Sequence, residues 1–211
     1  DSSPIFFLSV FYLIEMHQLV LASQSPRRKE LLEKAGFNFH TLTIEVSEIL
    51  EKNLTLENAL MALAKKKSQA LLDSGKLLKY QNFLVLSGDT VVVLDNEVLG
   101  KPENKAQAVE FLERLSGKTH RVITAVSLVA SENTARFVTD FCVTKVVFRD
   151  LTRSEIEDYV ATGEPMDKAG AYAIQGLAKK FVVSVEGPID NVVGLPVDLV
   201  KKLMRENGWS V

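Results

Sequence analysis

A short strand, a turn and the start of a helix meet in residues 21–28, which read Leu-Ala-Ser-Gln-Ser-Pro-Arg-Arg. Ser25 is a favourable N-cap residue, and Pro26 suits the first helical position because its missing N–H needs no partner there. Arg27 and Arg28 then lie in the first turn, where the helix dipole is already positive and backbone N–H groups are free. This arrangement favours a bound phosphate over the alternative of two solvated arginines on a surface helix.

The composition indicates a globular protein whose positive charge is local. The chain has 211 residues, of which 46% are hydrophobic and 25% are charged, and its formal net charge is -2. Proteins that bind nucleic acid along its backbone are usually basic, so we expect no nucleic-acid partner. Cationic residues cluster at 27–29 and 65–67, which suits a small anionic ligand better than a polymer.

The cysteine content and the apolar N-terminus bear on location. Because Cys142 is the only cysteine, we exclude an internal disulfide and expect a buried thiol in a reducing, cytoplasmic setting. Residues 5–14 are almost wholly apolar, but a helix needs roughly 20 residues to span a bilayer, and no basic segment of a signal peptide precedes them. We therefore expect no membrane partner, and we predict Met16 as the functional start.

Strand-like and helix-like segments alternate along the chain, which predicts an α/β fold. Strands are predicted at 19–22, 39–44, 83–94, 120–130, 136–148 and 180–185. Helices are predicted at 26–35, 56–72, 105–115, 153–163 and 196–208. The strands at 120–130 and 136–148 are joined by the polar turn Ser131-Glu132-Asn133, so we expect them to pair antiparallel within a mixed sheet.

A carboxylate interrupts the apolar run at residues 83–94, in the sequence Ser87-Gly88-Asp89-Thr90. A charge within a buried strand is costly unless it is paired, hydrogen-bonded or bound to a metal. Gly88 allows another group to approach the backbone closely. Asp89 is therefore a candidate metal ligand or general base, and the alternative is a tight turn between two short strands with Asp89 in solvent.

Three further charged side chains are weaker candidates. Glu48 is a loop carboxylate that suits Mg²⁺ or Mn²⁺ if the substrate carries phosphates; otherwise it is simply solvated. Lys67 shares a helical face with Leu60 and Leu63, which can turn it toward the body of the protein. Lys101 precedes a proline that holds the backbone extended, although a surface lysine is the more common explanation.

Residues 163–176 form a loop shaped by three glycines and a proline. The loop carries Asp167, Lys168 and Gln175, and the amide of Gln175 can read the edge of a base because it donates and accepts hydrogen bonds at once. A tight structural loop is the alternative. Residues 191–196, which read Asn-Val-Val-Gly-Leu-Pro, are predicted to serve in packing before the last helix.

Several common catalytic motifs are absent from the sequence. The chain has no P-loop, no Gly-x-Gly-x-x-Gly, no Gly-x-Ser-x-Gly and no His-Glu-x-x-His motif. His40 and His120 lie in strand-like segments with no partner in view, so histidine catalysis has little support.

Taken together, the motifs resemble the Maf family over about residues 18 to 205. The matching segments are 21–32, 88–92, 100–102, 115–117, 167–176 and 191–196. The resemblance implies a long twisted mixed sheet flanked by helices, with two lobes around a central cleft, related to the inosine-triphosphate pyrophosphatases. Residues 16–211 would form this single Maf-like catalytic domain, and residues 1–15 would be an N-terminal extension that is non-native or without function. Homodimers are common in the family.

The family resemblance also implies an activity, a cofactor and roles for individual residues. Members are nucleoside triphosphate pyrophosphatases that release pyrophosphate with the help of a divalent metal cation, Mg²⁺, Mn²⁺ or Co²⁺. Asp89 matches the proton acceptor, Glu48 and Asp89 would hold the metal, and Lys67 and Lys101 would assist catalysis. The implied substrate-binding residues are Ser23, Arg27, Arg28, Thr90, Asp167, Lys168 and Gln175.

The identities of Arg28, Thr90 and Gln175 resemble the branch of the family that acts on dTTP and UTP. Two alternatives stay open: a pyrophosphatase that prefers 7-methyl-GTP, CTP or modified pyrimidine triphosphates, and a regulator of cell division that binds a nucleotide without cleaving it. The chain departs from the family pattern at Ala173, where glycine is usual, and at Gly88, where alanine is common.

Overall fold

The computed structural model describes residues 16–131 and 136–211, which form a mixed sheet of seven strands flanked by helices. The predicted α/β class is therefore confirmed. The strands are β1 (Gln18–Leu21), β2 (Phe39–Thr41), β3 (Phe83–Leu94), β4 (Glu97–Leu99), β5 (Thr119–Ala130), β6 (Phe137–Phe148) and β7 (Val182–Glu186). The helices are α1 (Pro26–Lys34), α2 (Leu56–Asp73), α3 (Lys105–Leu115), α4 (Arg153–Ala161), α5 (Ile189–Val193) and α6 (Val197–Glu206).

The sheet has a parallel part and an antiparallel part. Strand β1 lies between β2 and β3 and is parallel to both. Strand β3 then pairs antiparallel with β5, β5 with β6, and β6 with β7. The predicted antiparallel pair of β5 and β6 is confirmed; of the turn predicted between them, Glu132 and Asn133 lie outside the described residues, as does the predicted extension at 1–15.

Strand β3 lacks a neighbouring strand along part of one edge. Its pairing with β1 ends where Leu21 lies opposite Leu86, and its pairing with β4 begins only at Val92. Because β5 occupies the other edge of β3, β1 and β4 must share this one. Among the described strands, none covers residues 87–91 on that edge, and the sheet has a gap there.

Helices cover both faces of β3 and hold it in place. Leu60 and Ala64 of α2 pack against Val91 on one face. Leu86 projects to the opposite face, because side chains alternate along a strand, and packs in the same cluster as Val200 of α6. No helix among the described residues is both long and apolar enough to cross a bilayer.

Most predicted element boundaries are close to the observed ones, and the differences have local causes. Strand β3 is continuous, so the alternative of a tight turn at Asp89 is wrong. The strand predicted from residue 180 begins at Val182, because a 3₁₀ turn at Leu177–Phe181 precedes it and buries Ala178 and Phe181 at helical spacing. Cys142 is half-buried rather than buried, because β7 pairs with β6 only from Lys145 onward.

His120 has a partner that the sequence did not reveal. The side chain is buried, and its Nε2 atom lies 2.8 Å from the hydroxyl of Tyr172. The ring also packs edge-on against Phe148 and Tyr172. Burial lowers the pKa of His120 from 6.5 to about 4, so the ring is neutral in the folded protein at neutral pH.

The low pKa of His120 predicts how stability depends on pH. Between the unfolded value of 6.5 and the folded value of about 4, only the unfolded chain binds the proton. The contribution of neutral His120 to the free energy of unfolding is fully present above pH 6.5, and it falls by about 3 kcal/mol as the pH drops toward 4. Urea unfolding from pH 7 to 4 measures the slope, and His120→Gln, which keeps a polar partner for Tyr172, should flatten it. Equal slopes for the two proteins would contradict the assignment.

Candidate active site

A cleft of about 890 Å³ opens at the gap beside β3. It lies beyond the carboxyl end of β1, where α/β proteins commonly bind ligands. Every side chain that the sequence analysis assigned to catalysis, metal binding or substrate binding lines it, namely Ser23, Arg27, Arg28, Glu48, Lys67, Asp89, Thr90, Lys101, Asp167, Lys168 and Gln175. The tertiary fold therefore brings together residues from widely separated segments of the chain.

The start of α1 supplies the cationic wall of the cleft. Ser25 is the N-cap as predicted, and its hydroxyl accepts a hydrogen bond from the backbone N–H of Arg28. The guanidinium group of Arg28 donates to the carbonyl of Gly194 at 2.8 Å and to the hydroxyls of Ser23 at 3.2 Å and Thr90 at 3.1 Å. These bonds immobilise the side chain, and none of them goes to a carboxylate, so its charge is available to an anion.

Nearby carboxylates offset only part of the effect of burial on Arg28, whose pKa is lowered on balance. Burial lowers the pKa of Arg28, while the negative charge of Asp89 raises it. The guanidinium group stays charged in either case, because arginine is not deprotonated in proteins. A partly desolvated cation of this kind attracts a phosphate more strongly than a fully solvated one does.

The carboxylates of the cleft surround one ammonium group. The Nζ atom of Lys67 lies 2.6 Å from Glu48 Oε1 and 2.6 Å from Asp89 Oδ1. The Lys67 side chain is only 12% exposed and that of Asp89 16% exposed, whereas Glu48 is 59% exposed. The hydrogen bond from Lys67 is the main reason that the pKa of Glu48 is lowered. The helical face predicted for Lys67 is therefore confirmed.

The cleft reaches both faces of the sheet. Asp89 and Thr90 are neighbours in β3 and so project to opposite faces, Asp89 toward α2 and Thr90 toward Arg28. The open edge of β3 at residues 87–91 joins the two sides into one cavity. The cationic wall and the carboxylates therefore border the same space, although they lie on opposite faces of one strand.

The loop at 163–176 forms the opposite wall of the cleft. It is shaped by 3₁₀ turns at Glu164–Asp167 and Ala169–Ala171. Gly170 has a φ of +66°, its N–H donates to the carbonyl of Gly100, and a Cβ there would lie 2.8 Å from Val92. Glycine is thus needed to dock the loop against β3.

The side chains of this wall are held to different degrees. Lys168 is tied within the loop, since its Nζ donates to the Glu164 carbonyl at 2.8 Å and to Asp167 at 2.5 Å. Gln175 and Lys101 are exposed at the cleft. The amide of Gln175 makes no hydrogen bond with any residue that the structure describes, so it is free to contact a ligand.

The segment at 191–196 does more than the packing that was predicted for it. Besides providing the Gly194 carbonyl that binds Arg28, it accepts a hydrogen bond from Thr124 at the Asn191 carbonyl, 2.9 Å away. The Thr124 hydroxyl also lies 2.9 Å from that of Thr90. The hydroxyls of Thr124 and Thr90 therefore link the Asn191 carbonyl to Arg28 through hydrogen bonds. The only sequence signal for this role of the segment was the polar Asn191 among apolar residues.

The residues of the cleft include a small donor set for a hard cation. The described residues contain no group of three or more His, Cys, Asp or Glu side chains that could hold a metal ion. Glu48 and Asp89 provide two carboxylates around one cation, the Lys67 ammonium group. Mg²⁺ commonly takes one or two carboxylates and completes its shell with water and substrate phosphates, so two are sufficient.

The fold and the cleft define a mixed α/β protein in which arginines at a helix start and a lysine–carboxylate cluster share one cavity. The chain belongs to the Maf family, because residues 18–207 match the family described as Maf-like protein.

Relatives of known name cover nearly the whole chain. A dTTP/UTP pyrophosphatase from Bdellovibrio bacteriovorus is 50% identical over 188 residues, which span 89% of this chain and 97% of that protein. A dTTP/UTP pyrophosphatase from a Geobacillus species is 44% identical and spans 92% of this chain and 100% of that protein. Among solved structures, a HAM1 protein from Coxiella burnetii matches with a TM-score of 0.49 and 13% identity, over 90% of this chain and 100% of that chain.

Proposed function

We propose that this protein hydrolyses dTTP and UTP to the nucleoside monophosphate and pyrophosphate. The observation that carries the proposal is the single cleft shared by Arg28 and the Lys67–Asp89 pair. Relatives that are 43–50% identical over most of the chain carry the name dTTP/UTP pyrophosphatase, which supports the same reaction here.

The cationic groups of the cleft suit a triphosphate. Arg27, Arg28 and the start of α1 line one wall, while Lys101 and Lys168 lie in the walls around it. We infer that these groups bind the triphosphate and neutralise the charge that moves onto the leaving pyrophosphate. Ser23 contributes by holding Arg28, to whose Nη1 atom its hydroxyl is bonded.

We infer that Asp89 acts as the proton acceptor. Its carboxylate is only 16% exposed, and Lys67 holds it at 2.6 Å, so its orientation in the cleft is defined. We infer that a water molecule attacks the α-phosphorus in line with the leaving pyrophosphate and that Asp89 takes a proton from that water. Lys67 keeps the carboxylate oriented and offsets part of the negative charge that Glu48 and Asp89 bring next to the reacting phosphate.

Glu48 and Asp89 are the proposed holders of a divalent cation, Mg²⁺, Mn²⁺ or Co²⁺. Their oxygens are the ligand type that hard cations prefer, and they already surround the ammonium group of Lys67. A bound cation would supply charge neutralisation at the phosphate oxygens and lower the pKa of bound water.

Base recognition is assigned to Gln175, with Thr90 and Asp167 in support. The free amide of Gln175 can pair with uracil or thymine, which present two carbonyls and one N–H. The Thr90 hydroxyl bonds to Arg28 at 3.1 Å, so it contributes to substrate choice through Arg28. Asp167 bonds to Lys168 and lines the same wall.

The proposal extends to assembly and location. A homodimer is supported by the outer edge of β6 at residues 137–142, which no described strand covers, because uncovered strand edges are prone to pair. A cytoplasmic location fits the single cysteine, Cys142, and a nucleotide substrate. The net charge of -2 supports the absence of a nucleic-acid partner.

A nucleotide panel tests the proposed substrate class. Pyrophosphate release with Mg²⁺ or Mn²⁺ should be fastest for dTTP and UTP and at least about tenfold slower for CTP and 7-methyl-GTP, because a site that bonds a base edge rejects analogues that leave its polar groups unpaired. Faster cleavage of 7-methyl-GTP or CTP than of dTTP and UTP would show that the protein has a different substrate specificity. Nucleotide binding without release of pyrophosphate would instead indicate a regulator.

Asp89→Asn tests the proton acceptor. The amide preserves size but cannot take a proton, so pyrophosphate release should fall by a factor of about a hundred or more, while the thermal midpoint stays close to that of the wild type. Asp73→Asn is the matched control, because Asp73 is an exposed carboxylate bonded to Gln69 at the end of α2. Wild-type turnover in Asp89→Asn would refute the role of Asp89.

Lys67→Met tests whether the carboxylates of Glu48 and Asp89 can exchange their ammonium partner for a metal ion. Removing the competing cation should tighten Mn²⁺ binding about tenfold in the absence of nucleotide, because two adjacent carboxylates are left without a counter-charge. Paramagnetic resonance of free Mn²⁺ measures this directly. Lys65→Met, on the exposed face of the same helix, should leave the affinity unchanged. Weaker or unaltered binding in Lys67→Met would contradict the metal assignment.

A further inference from the structure

The loop that carries Gln175 is tied to the body of the protein on both sides of that residue. The N–H of Ala173 donates to the hydroxyl of Tyr159 at 3.3 Å. The N–H of Leu177 donates to the carboxylate of Glu164, at 3.1 Å and 3.2 Å to its two oxygens. These anchors lie two residues before and two residues after Gln175, so they define the course of the backbone that presents its amide.

The two anchoring side chains are bonded to each other. The hydroxyl of Tyr159 donates to Glu164 Oε1 at 2.9 Å. One tyrosine and one carboxylate thus form a continuous bridge from Ala173 to Leu177, and Glu164 stands at the start of the loop that it closes. We call this bridge of Tyr159 and Glu164 the clasp.

The clasp is anchored in the hydrophobic core. Tyr159 is 2% exposed, and its ring packs edge-on against Phe181 with the ring centres 5.3 Å apart. Burial and the bond to Glu164 raise the pKa of Tyr159, so the hydroxyl keeps its proton and remains a donor. The packing of Tyr159 in the core therefore helps to orient the clasp.

The lack of a side chain at Gly176 leaves room for the carboxylate of Glu164. A Cβ atom at this position would lie 2.2 Å from Glu164 Oε1, well inside van der Waals contact. The φ of Gly176 is −99°, which any residue can adopt, so a side chain at this position is opposed by the carboxylate of Glu164, which would have to shift from its place in the clasp. The residue next to Gln175 thus accommodates the clasp.

We propose that Tyr159 and Glu164 are positioning residues for base recognition, acting by holding the backbone on either side of Gln175. This inference rests on the proposed function, because it assumes that Gln175 contacts the base. The clasp lies on α4 and the loop, whereas Lys67 and Asp89 lie on α2 and β3. Loosening the clasp should therefore affect discrimination between bases more than the chemical step.

The test compares UTP with CTP in the variants Tyr159→Phe, Glu164→Ala and Gly176→Ala. UTP and CTP carry the same triphosphate and differ at the base edge that an amide would read. Each variant should raise KM for UTP about tenfold, keep kcat within about threefold, and lower the ratio of kcat/KM for UTP over CTP about tenfold. Glu164→Gln retains an acceptor for Leu177 and should restore most of the selectivity that Glu164→Ala loses.

A double variant and an exchange measurement examine the bridge itself. If Tyr159 and Glu164 act as one unit, Tyr159→Phe combined with Glu164→Ala should be no less selective than the worse single variant. Hydrogen exchange at the Ala173 and Leu177 amides should accelerate in Tyr159→Phe and in Glu164→Ala. Glu157→Gln, which removes a charge from the exposed face of α4 where Glu157 pairs with Arg153, is the matched control and should change none of these quantities.

The possible outcomes separate the two proposals. A wild-type protein that does not cleave UTP or does not prefer it to CTP refutes the proposed function. A selective wild-type protein whose clasp variants exchange faster at Ala173 and Leu177 but keep the wild-type preference refutes the positioning role alone. A lower kcat with an unchanged preference for UTP over CTP would also refute the positioning role, because the clasp would then serve stability or catalysis.

Discussion

The site depends on one feature of the sheet, the loss of a neighbouring strand along β3 between Leu86 and Val92. A strand within a sheet normally has both edges occupied, and its alternate side chains are then separated by the sheet itself. Where the edge of β3 is open, Asp89 on one face and Thr90 on the other border the same cavity. The length of β3 is therefore what makes the site possible, because β3 continues to Leu94, well beyond Leu86, where its pairing with β1 ends.

Charge is distributed around this opening in two groups with different partners. Arg28 is held by a carbonyl and two hydroxyls, so its positive charge is not neutralised by direct contact with a carboxylate. Lys67, in contrast, is neutralised by Glu48 and Asp89 at 2.6 Å each. Arg28 thus presents positive charge to an anion. In the cluster of Lys67, Glu48 and Asp89, the ammonium group offsets the mutual repulsion of the two carboxylates and so allows them to lie close together.

Much of the fold and many of the site residues could be predicted because their signals are local. The helix start at Ser25 and Pro26 follows from capping, which involves only neighbouring residues, and the structure shows that cap. Asp89 was recognisable because a carboxylate in an apolar strand demands a partner. The partner of His120 could not be predicted, because Tyr172 lies 52 positions away and aromatic residues in apolar segments are usually explained by packing alone.

The sequence by itself determined which chemical groups this protein has and which elements carry them, because strand alternation, helix capping and glycine punctuation act over a few residues. Tertiary structure alone decided which groups meet. The Gly194 carbonyl that orients Arg28 is 166 positions from it, and Asp89 is 22 positions from the lysine that binds it. Such contacts depend on the register of β1, β3 and β4 and on the packing of α2, and no local pattern encodes either one.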